Sequence, residues 1–289
     1  MPNLTDVKVI RDLCARYDFA LSKGFGQNFI VNPGICPRMV EAAGIDESFG
    51  VLEIGPGIGV LTKELAARAA KVVAVEVDER LPPLLAETLA DCPNAEIVPG
   101  DILKTDISAL VGEKFAGLTA VACANLPYNI TTPAITALIE AGCFASITVM
   151  IQREVARRIC AKPGTADYGA FSVFCQYYTE PELLFDVPPN CFLPQPKVTS
   201  AVITLRRRAA RPWNVTDEAA FFRVVRSSFA MRRKKLSNGL TAGFPELGKA
   251  GIEDVLKVCG FPENVRGETL GIPEFARIAN EITSRRAAK

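Results

Sequence analysis

The feature that most constrains the fold is an apolar run that breaks into glycines at alternate positions. Val51–Ile54 predicts a buried strand, Gly55, Gly57 and Gly59 follow it, and a helical pattern resumes at Val60. Glycine reaches backbone conformations that a Cβ forbids, and it lets a ligand approach the main chain closely. Strand, glycine turn and helix in this order indicate a parallel α/β sheet that binds a nucleotide-like ligand. An ordinary tight turn in an α/β domain is the alternative.

Further short apolar runs continue the pattern, with helical patterns between them, and predict strands at 71–76, 95–98, 118–123 and 147–151. Strands that alternate with helices favour a doubly wound, parallel sheet. Two later runs, 182–187 and 198–205, lie close enough in sequence to form an antiparallel pair at one edge. Helices are also expected over Asp6–Tyr17 and from Asn32-Pro33 to Gly44.

The chain becomes helical and basic beyond Arg211. Residues 1–200 carry 16 basic and 23 acidic side chains, whereas residues 201–289 carry 17 basic and 9 acidic ones. We therefore predict an α/β domain over 1–208 and a small all-helical domain over 209–289. Such a charge division is typical of a chain whose basic end meets a polyanion, although a solvated helical face would also produce it.

Composition excludes several classes of chemistry. The chain has no histidine, so Ser-His-Asp hydrolysis and imidazole acid–base catalysis are closed to it. Its nine cysteines are never closer than 15 positions apart, which excludes CxxC metal or redox pairs, and no metal site is predicted. Scattered thiols without a signal-peptide pattern or a membrane-length apolar run predict a cytoplasmic protein that contacts no membrane.

Four features fall where the predicted parallel strands end: the glycine turn, Glu76, Asp101 and the segment Asn125-Leu126-Pro127-Tyr128. Ligands of open parallel sheets bind at this edge. A carboxylate such as Glu76 can accept both hydroxyls of a ribose, in a dinucleotide or in S-adenosylmethionine alike.

The tetrapeptide Asn125–Tyr128 predicts chemistry on an exocyclic amine. The Asn125 amide oxygen and a carbonyl fixed by Pro127 can accept the hydrogens of an adenine amine, and Tyr128 can stack on the base. Two acceptors would favour a pyramidal nitrogen and expose its lone pair to an electrophile. This is catalysis by orientation and electrostatics, and it needs no histidine.

At this point the chain resembles a known family, the S-adenosylmethionine-dependent adenine-N6 dimethyltransferases of ribosomal RNA, in particular the type that acts on 16S rRNA. The resemblance covers nearly the whole chain. Its motifs are 24–29, 53–57, 125–129, 152–156, 163–164 with 168–169, 192–198 and 266–270. It implies a Rossmann-like class I methyltransferase domain, a mostly parallel sheet with an antiparallel edge, and a helical C-terminal domain that recognises RNA. Ser237 stands where the family commonly has an arginine.

The resemblance also implies roles for individual residues. The cofactor-binding set would be Gln27, Asn28, Ile30, Gly55, Gly57, Glu76, Asp101 and Asn125. Within it, Glu76 would hold the ribose, Asp101 would bind the cofactor's adenine, and Asn125 would lie between cofactor and target amine. The catalytic set would be Asn125, Leu126, Pro127, Tyr128 and Phe192, with Phe192 facing the flipped base opposite the tyrosine. Predicted RNA contacts are Lys197, Arg223, Arg226, Arg232, Arg233, Lys234 and Lys235.

The sequence thus predicts an enzyme that dimethylates two adjacent adenosines in the 3′-terminal hairpin loop of 16S rRNA, with S-adenosylmethionine as methyl donor. We expect a monomer that takes part in small-subunit biogenesis. One alternative is the antibiotic-resistance type of 23S rRNA adenine methyltransferase, and another is a non-catalytic RNA-binding assembly factor on the same fold. A nicotinamide-dependent oxidoreductase is disfavoured by the glycine spacing and the lack of histidine.

Overall fold

The structure is a computed structural model that describes residues 3–18 and 28–287. Its helices are α1 (Val7–Arg16), α2 (Ile35–Ala42), α3 (Val60–Ala66), α4 (Leu81–Thr88), α5 (Ile107–Lys114), α6 (Thr131–Ala141), α7 (Arg153–Cys160), α8 (Ala170–Tyr178), α9 (Glu218–Ala230), α10 (Leu236–Gly243), α11 (Gly248–Val258) and α12 (Ile272–Ala287). Its strands are β1 (Phe29–Ile30), β2 (Phe49–Ile54), β3 (Lys71–Glu76), β4 (Ala95–Pro99), β5 (Thr119–Asn125), β6 (Ser146–Gln152), β7 (Thr179–Val187), β8 (Phe192–Leu193) and β9 (Ser200–Arg207).

Seven strands form one sheet in the order β4-β3-β2-β5-β6-β9-β7. The pairs from β4 through β6 are parallel, and β9 runs antiparallel to β6 with Ser146 opposite Arg206. The predicted mostly parallel sheet with an antiparallel edge is confirmed. The chain leaves β2 in one direction through β3 and β4, and then returns to the other side through β5. The switch point between β2 and β5 is where open α/β sheets bind ligands.

A separate two-stranded sheet pairs β1 with β8, with Phe29 opposite Leu193 and Ile30 opposite Phe192. The sequence predicted a loop up to Phe29 and no strand at 192. Two-residue strands are too short to show the alternation that identifies a strand. The pairing ties the segment before α2 to the segment before β9.

The chain divides into two compact units. The first contains residues 1–156 and 180–207, and the second contains residues 157–179 and 208–289. We predicted one domain boundary, after residue 208. The chain passes between the two units at three places, after residues 156, 179 and 207, so the second unit also takes in residues 157–179. Packing explains this, because Val173 and Tyr177 of α8 are buried in the same cluster as Phe221 and Phe275 of the C-terminal helices. The Tyr177 and Phe221 rings stack with centroids 4.7 Å apart.

Among the helices described, each is too short or too polar to cross a bilayer.

Candidate active site

A cleft of about 910 Å³, counted with its solvent-open mouth, lies at the carboxyl ends of β2 to β5. Its lining includes most of the residues predicted to bind cofactor or to act in catalysis: Asn28, Ile30, Gly55, Gly57, Glu76, Asp101, Asn125, Leu126, Pro127 and Tyr128. The structure therefore brings together residues that are far apart in the chain. Gln27 lies outside the described residues.

The glycine turn has backbone conformations that other residues rarely adopt. Gly55, Gly57 and Gly59 have φ values of 66°, 60° and 91°. A Cβ on Gly57 would lie 3.0 Å from the Phe29 ring, whereas one on Gly55 would meet nothing closer than Pro127 at 3.8 Å. Gly55 is therefore required by its positive φ, and Gly57 by both φ and crowding.

Glu76 and Asp101 present carboxylates along the cleft. Glu76 is 5% exposed, and its Oε1 accepts a hydrogen bond from the Asp78 backbone N–H at 2.8 Å. Burial raises the pKa of Glu76, while the backbone amides of Asp78, Val77 and Gly57 oppose that rise. Asp101 Oδ1 accepts from the Leu103 N–H at 3.0 Å, which fixes the turn after β4. Both carboxylates are anchored by the main chain and are suited to hydroxyl or amine hydrogens of a ligand.

Asn125 is oriented by a hydrogen bond from its Nδ2 to the Asn28 carbonyl at 3.2 Å. Because only the nitrogen of the amide can donate, this contact fixes which side-chain atom remains as acceptor, namely Oδ1. The Leu126 N–H donates to Met150 O at 3.1 Å, and no described residue donates to the Leu126 carbonyl. The segment thus offers two oxygen acceptors at the cleft, as the amine mechanism requires.

Pro127 and Tyr128 complete the segment. The Pro127 carbonyl accepts from the Ile130 N–H and the Thr131 hydroxyl, both at 3.2 Å, which begins α6 directly after the cleft. The Tyr128 hydroxyl lies 2.7 Å from Ser200 Oγ, and burial raises the pKa of the tyrosine. The ring is half-buried and fixed at its polar end. Sequence reasoning did not single out Ser200, because its link to Tyr128 spans 72 positions.

Phe192 does not line the cleft. It is 3% exposed and packs in the hydrophobic cluster that contains Ile30 and Val187. The β1–β8 pairing sets it opposite Ile30, which itself lines the cleft. Contact between Phe192 and a target base stays a prediction, and it would require the ring to become exposed.

Glu53 is a cleft residue to which sequence reasoning assigned no role. It is the penultimate residue of β2, is 1% exposed, and its Oε2 has no hydrogen-bond partner among the described residues. Burial raises the pKa of Glu53 to about 8, the charge of Glu76 adds to the rise, and the Thr62 hydroxyl opposes it. Glu53 is therefore largely protonated at neutral pH. The available signal was an acid inside an otherwise apolar strand.

The seven predicted RNA contacts divide into two groups. Five are exposed, and their side chains have no partner among the described residues: Lys197, Arg226, Arg233, Lys234 and Lys235. Arg223 instead donates to the Gly243 carbonyl at 2.7 Å and to both Glu246 carboxylate oxygens at 3.2 and 3.3 Å. Arg232 is paired with Glu268.

A family model described as ribosomal RNA adenine dimethylase matches residues 19–282. The chain is 47% identical over 276 residues to ribosomal RNA small subunit methyltransferase A of Geobacillus thermodenitrificans, covering 94% of each chain. It is 43% identical over 286 residues to the protein of the same name in Alkaliphilus oremlandii, covering 99% of this chain and all of the other.

Solved structures agree with these sequence matches. A dimethyladenosine transferase from Plasmodium falciparum superposes with a TM-score of 0.77 at 26% identity, covering 89% of this chain and 98% of the other. The 23S rRNA methyltransferase ErmE superposes with a TM-score of 0.66 at 28% identity, covering 89% and 100%. The Rossmann-like methyltransferase fold is confirmed.

Proposed function

The chain belongs to the ribosomal RNA adenine dimethylase family, and from that premise we propose that it dimethylates two adjacent adenosines in the 3′-terminal hairpin loop of 16S rRNA. It is an S-adenosylmethionine-dependent enzyme that acts on N6 of adenine in ribosomal RNA. The Geobacillus and Alkaliphilus relatives carry the name of a small-subunit enzyme. The observation that carries the proposal is the pair of acceptors, Asn125 Oδ1 and the Leu126 carbonyl, in the cleft at the carboxyl ends of β2 to β5.

The residues of the cleft fit S-adenosylmethionine. The glycine turn leaves room beside the main chain, and Glu76 and Asp101 supply anchored carboxylates for ribose hydroxyls and an adenine amine. When bound, S-adenosylmethionine supplies the electrophilic methyl group. Asn125 would then lie between the cofactor and the target nitrogen.

The chain's own residues orient the target amine. Asn125 Oδ1 and the Leu126 carbonyl would each accept one N–H of the unmethylated amine, so that its lone pair is directed away from the ring plane. Once one methyl group is present, a single N–H remains for these two acceptors. The Tyr128 ring, fixed by Ser200, would stack on the extruded base and offset part of the cost of unstacking it from the RNA. The proton released after transfer would pass to solvent.

The 23S rRNA alternative has a specific observation in its favour, namely the structural match to ErmE. Identity is 28% there and 43–47% to the small-subunit relatives, which supports the 16S target. We further propose that the enzyme acts as a monomer in the cytoplasm and that it works during small-subunit biogenesis.

The test is incubation with labelled S-adenosylmethionine and small subunits that lack the modification, followed by mapping of the labelled base. Large subunits serve as the competing substrate, and the Asn125→Ala variant as the matched control. Label on two adjacent adenosines near the 3′ end of 16S rRNA is expected. Label in large-subunit RNA would support the 23S alternative, and no label on either subunit would contradict the proposal.

A further inference from the structure

Arg232 holds a loop rather than extending into solvent. Its Nε donates to Glu268 Oε2 at 2.8 Å, and its Nη2 donates to the carbonyls of Ala166 at 2.6 Å and Thr165 at 3.2 Å. The charge is compensated by Glu268, and the donors on two of its three nitrogens are committed to the protein. A guanidinium in this arrangement would have to give up these charge-assisted bonds to contact a phosphate through the same nitrogens.

The loop that Arg232 contacts, residues 162–167, has a defined backbone shape and is exposed. Gly164 adopts φ 83°, and its N–H donates to the Glu268 backbone carbonyl at 2.7 Å. Thr165 Oγ1 donates to the Lys162 carbonyl at 2.7 Å, and the loop ends at Tyr168, which is buried against Phe229. Residues 162–167 themselves are exposed. The loop therefore has a fixed shape in which Arg232 and the turn at 267–269 supply the supports.

Cations without partners lie next to these supports. Arg233, Lys234 and Lys235 follow Arg232 directly, and Lys162 opens the loop; each is exposed and its side chain has no partner among the described residues. Asp167 is the one acid between positions 162 and 168. The contacts of Arg232 place the loop beside the segment 233–235.

We propose that loop 162–167 and the cations Arg233, Lys234 and Lys235 form one RNA-binding surface, and that Arg232 is its positioning residue rather than a phosphate contact. This inference rests on the proposed function, because it takes ribosomal RNA as the partner. A preformed loop avoids the entropy cost of ordering it on binding. The free cations supply the salt-dependent phosphate contacts.

The experiment compares four variants of the full chain: Arg232→Ala, Arg232→Lys, Arg233→Ala and Glu268→Ala. Binding to small-subunit RNA is measured as a function of salt, and amide hydrogen exchange is followed at Gly164, Thr165 and Tyr168. Arg233→Ala should lower the salt slope by about 0.7–0.9, the value for one phosphate interaction, and leave loop exchange unchanged. Arg232→Ala should weaken binding by about tenfold, keep the wild-type slope and accelerate exchange in the loop.

Two variants separate geometry from charge. Arg232→Lys keeps the charge but cannot bridge a carboxylate and two carbonyls, so it should behave like Arg232→Ala. Glu268→Ala removes an acid beside a basic surface, so charge alone predicts tighter RNA binding, whereas our proposal predicts weaker binding. A reduced slope for Arg232→Ala, or tighter binding by Glu268→Ala, would overturn the inference. Failure of the wild-type protein to bind ribosomal RNA would instead contradict the proposed function.

Discussion

Asn125 has a separate task for each polar atom of its side chain. The nitrogen donates to the Asn28 carbonyl, and this bond keeps the oxygen available for the target amine. A single residue therefore joins the segment before α2 to the reacting centre. The sequence could indicate the acceptor through its place at the end of β5, but not the bond that orients it, because the partner lies 97 positions away.

Replacing Asn125 by alanine should lower turnover by about 10²–10³-fold, as for the removal of other single preorganised hydrogen bonds. The bond to the amine matters most while the new N–C bond forms, so the effect should fall on kcat more than on KM. Tyr128→Phe keeps the stacking ring and removes only the hydrogen bond to Ser200, so it should be mild, whereas Tyr128→Ala should be severe. Steady-state methylation of unmodified small subunits measures all three. Wild-type turnover by Asn125→Ala would contradict the proposed role of the amide.

Glu53 makes stability depend on pH. Its folded-state pKa of about 8 lies above the ordinary value of 4.5, so between these pH values the folded chain holds a proton that the unfolded chain has released. The stability contribution is fully present below pH 4.5 and is lost as pH rises toward and through 8. The slope for one proton is about 1.4 kcal/mol per pH unit.

Glu53→Gln should remove this dependence, because the amide stays neutral. The difference in unfolding free energy between the variant and the wild type, measured by urea denaturation from about pH 5 to about pH 8.5, should shift in the variant's favour as pH rises. A pH-independent difference would mean that Glu53 is ionised in the folded protein.

At the scale of elements, strands with enough residues to show a pattern were predicted well. The bounds of β3 agree at both ends, and β2 and β6 differ by one or two residues. The two-residue strands β1 and β8 were missed, although their pairing sets Phe192 opposite Ile30. No compositional change marks residues 157–179 as part of the second unit, since that placement depends on which side chains α8 meets. Periodicity predicts which face is buried but not the partner that buries it.

Close packing between α9 and α10 leaves no room for a side chain at Gly239. A Cβ on Gly239 would lie 2.3 Å from the Ser227 carbonyl oxygen, so the two helices would have to separate. Gly239→Ala should lower the free energy of unfolding by about 2–3 kcal/mol through overpacking. The matched control is Gly112→Ala in α5, where a Cβ meets nothing within 4 Å.

That control should raise stability by about 0.5–1 kcal/mol, because alanine favours the helix over glycine. Urea denaturation midpoints of both variants measure the contrast. Equal midpoints would mean that the packing between α9 and α10 adjusts without cost.

Across the whole molecule, the number of cations counted in the basic segment is larger than the number that lack an ion-pair partner. Arg223 and Arg232 belong to the basic segment but are paired with Glu246 and Glu268, and Arg211 is paired with Glu218. Two of these acids lie 23 and 36 positions away, outside any local pattern. The sequence shows where basic residues concentrate, while only the folded structure distinguishes free cations from paired ones.

Cofactor binding and RNA binding should therefore respond to different substitutions. Changing Arg233, Lys234 and Lys235 together to glutamine removes three free cations, so the salt slope of RNA binding should fall by about 0.7–0.9 for each phosphate that is no longer neutralised. S-adenosylmethionine affinity should not change, because none of the three lines the cleft.

Glu76→Ala should instead weaken cofactor binding and leave RNA affinity unchanged. Cofactor affinity should fall by about 1–3 kcal/mol, as expected when ribose hydroxyls are left without their acceptor. Calorimetric titration of the cofactor and salt-dependent RNA binding give the two readouts on each variant. An unchanged salt slope in the triple variant would mean that these cations lie on a solvated face and do not contact RNA phosphates. Unchanged cofactor affinity in a folded Glu76→Ala protein would contradict the assignment of Glu76 to the ribose.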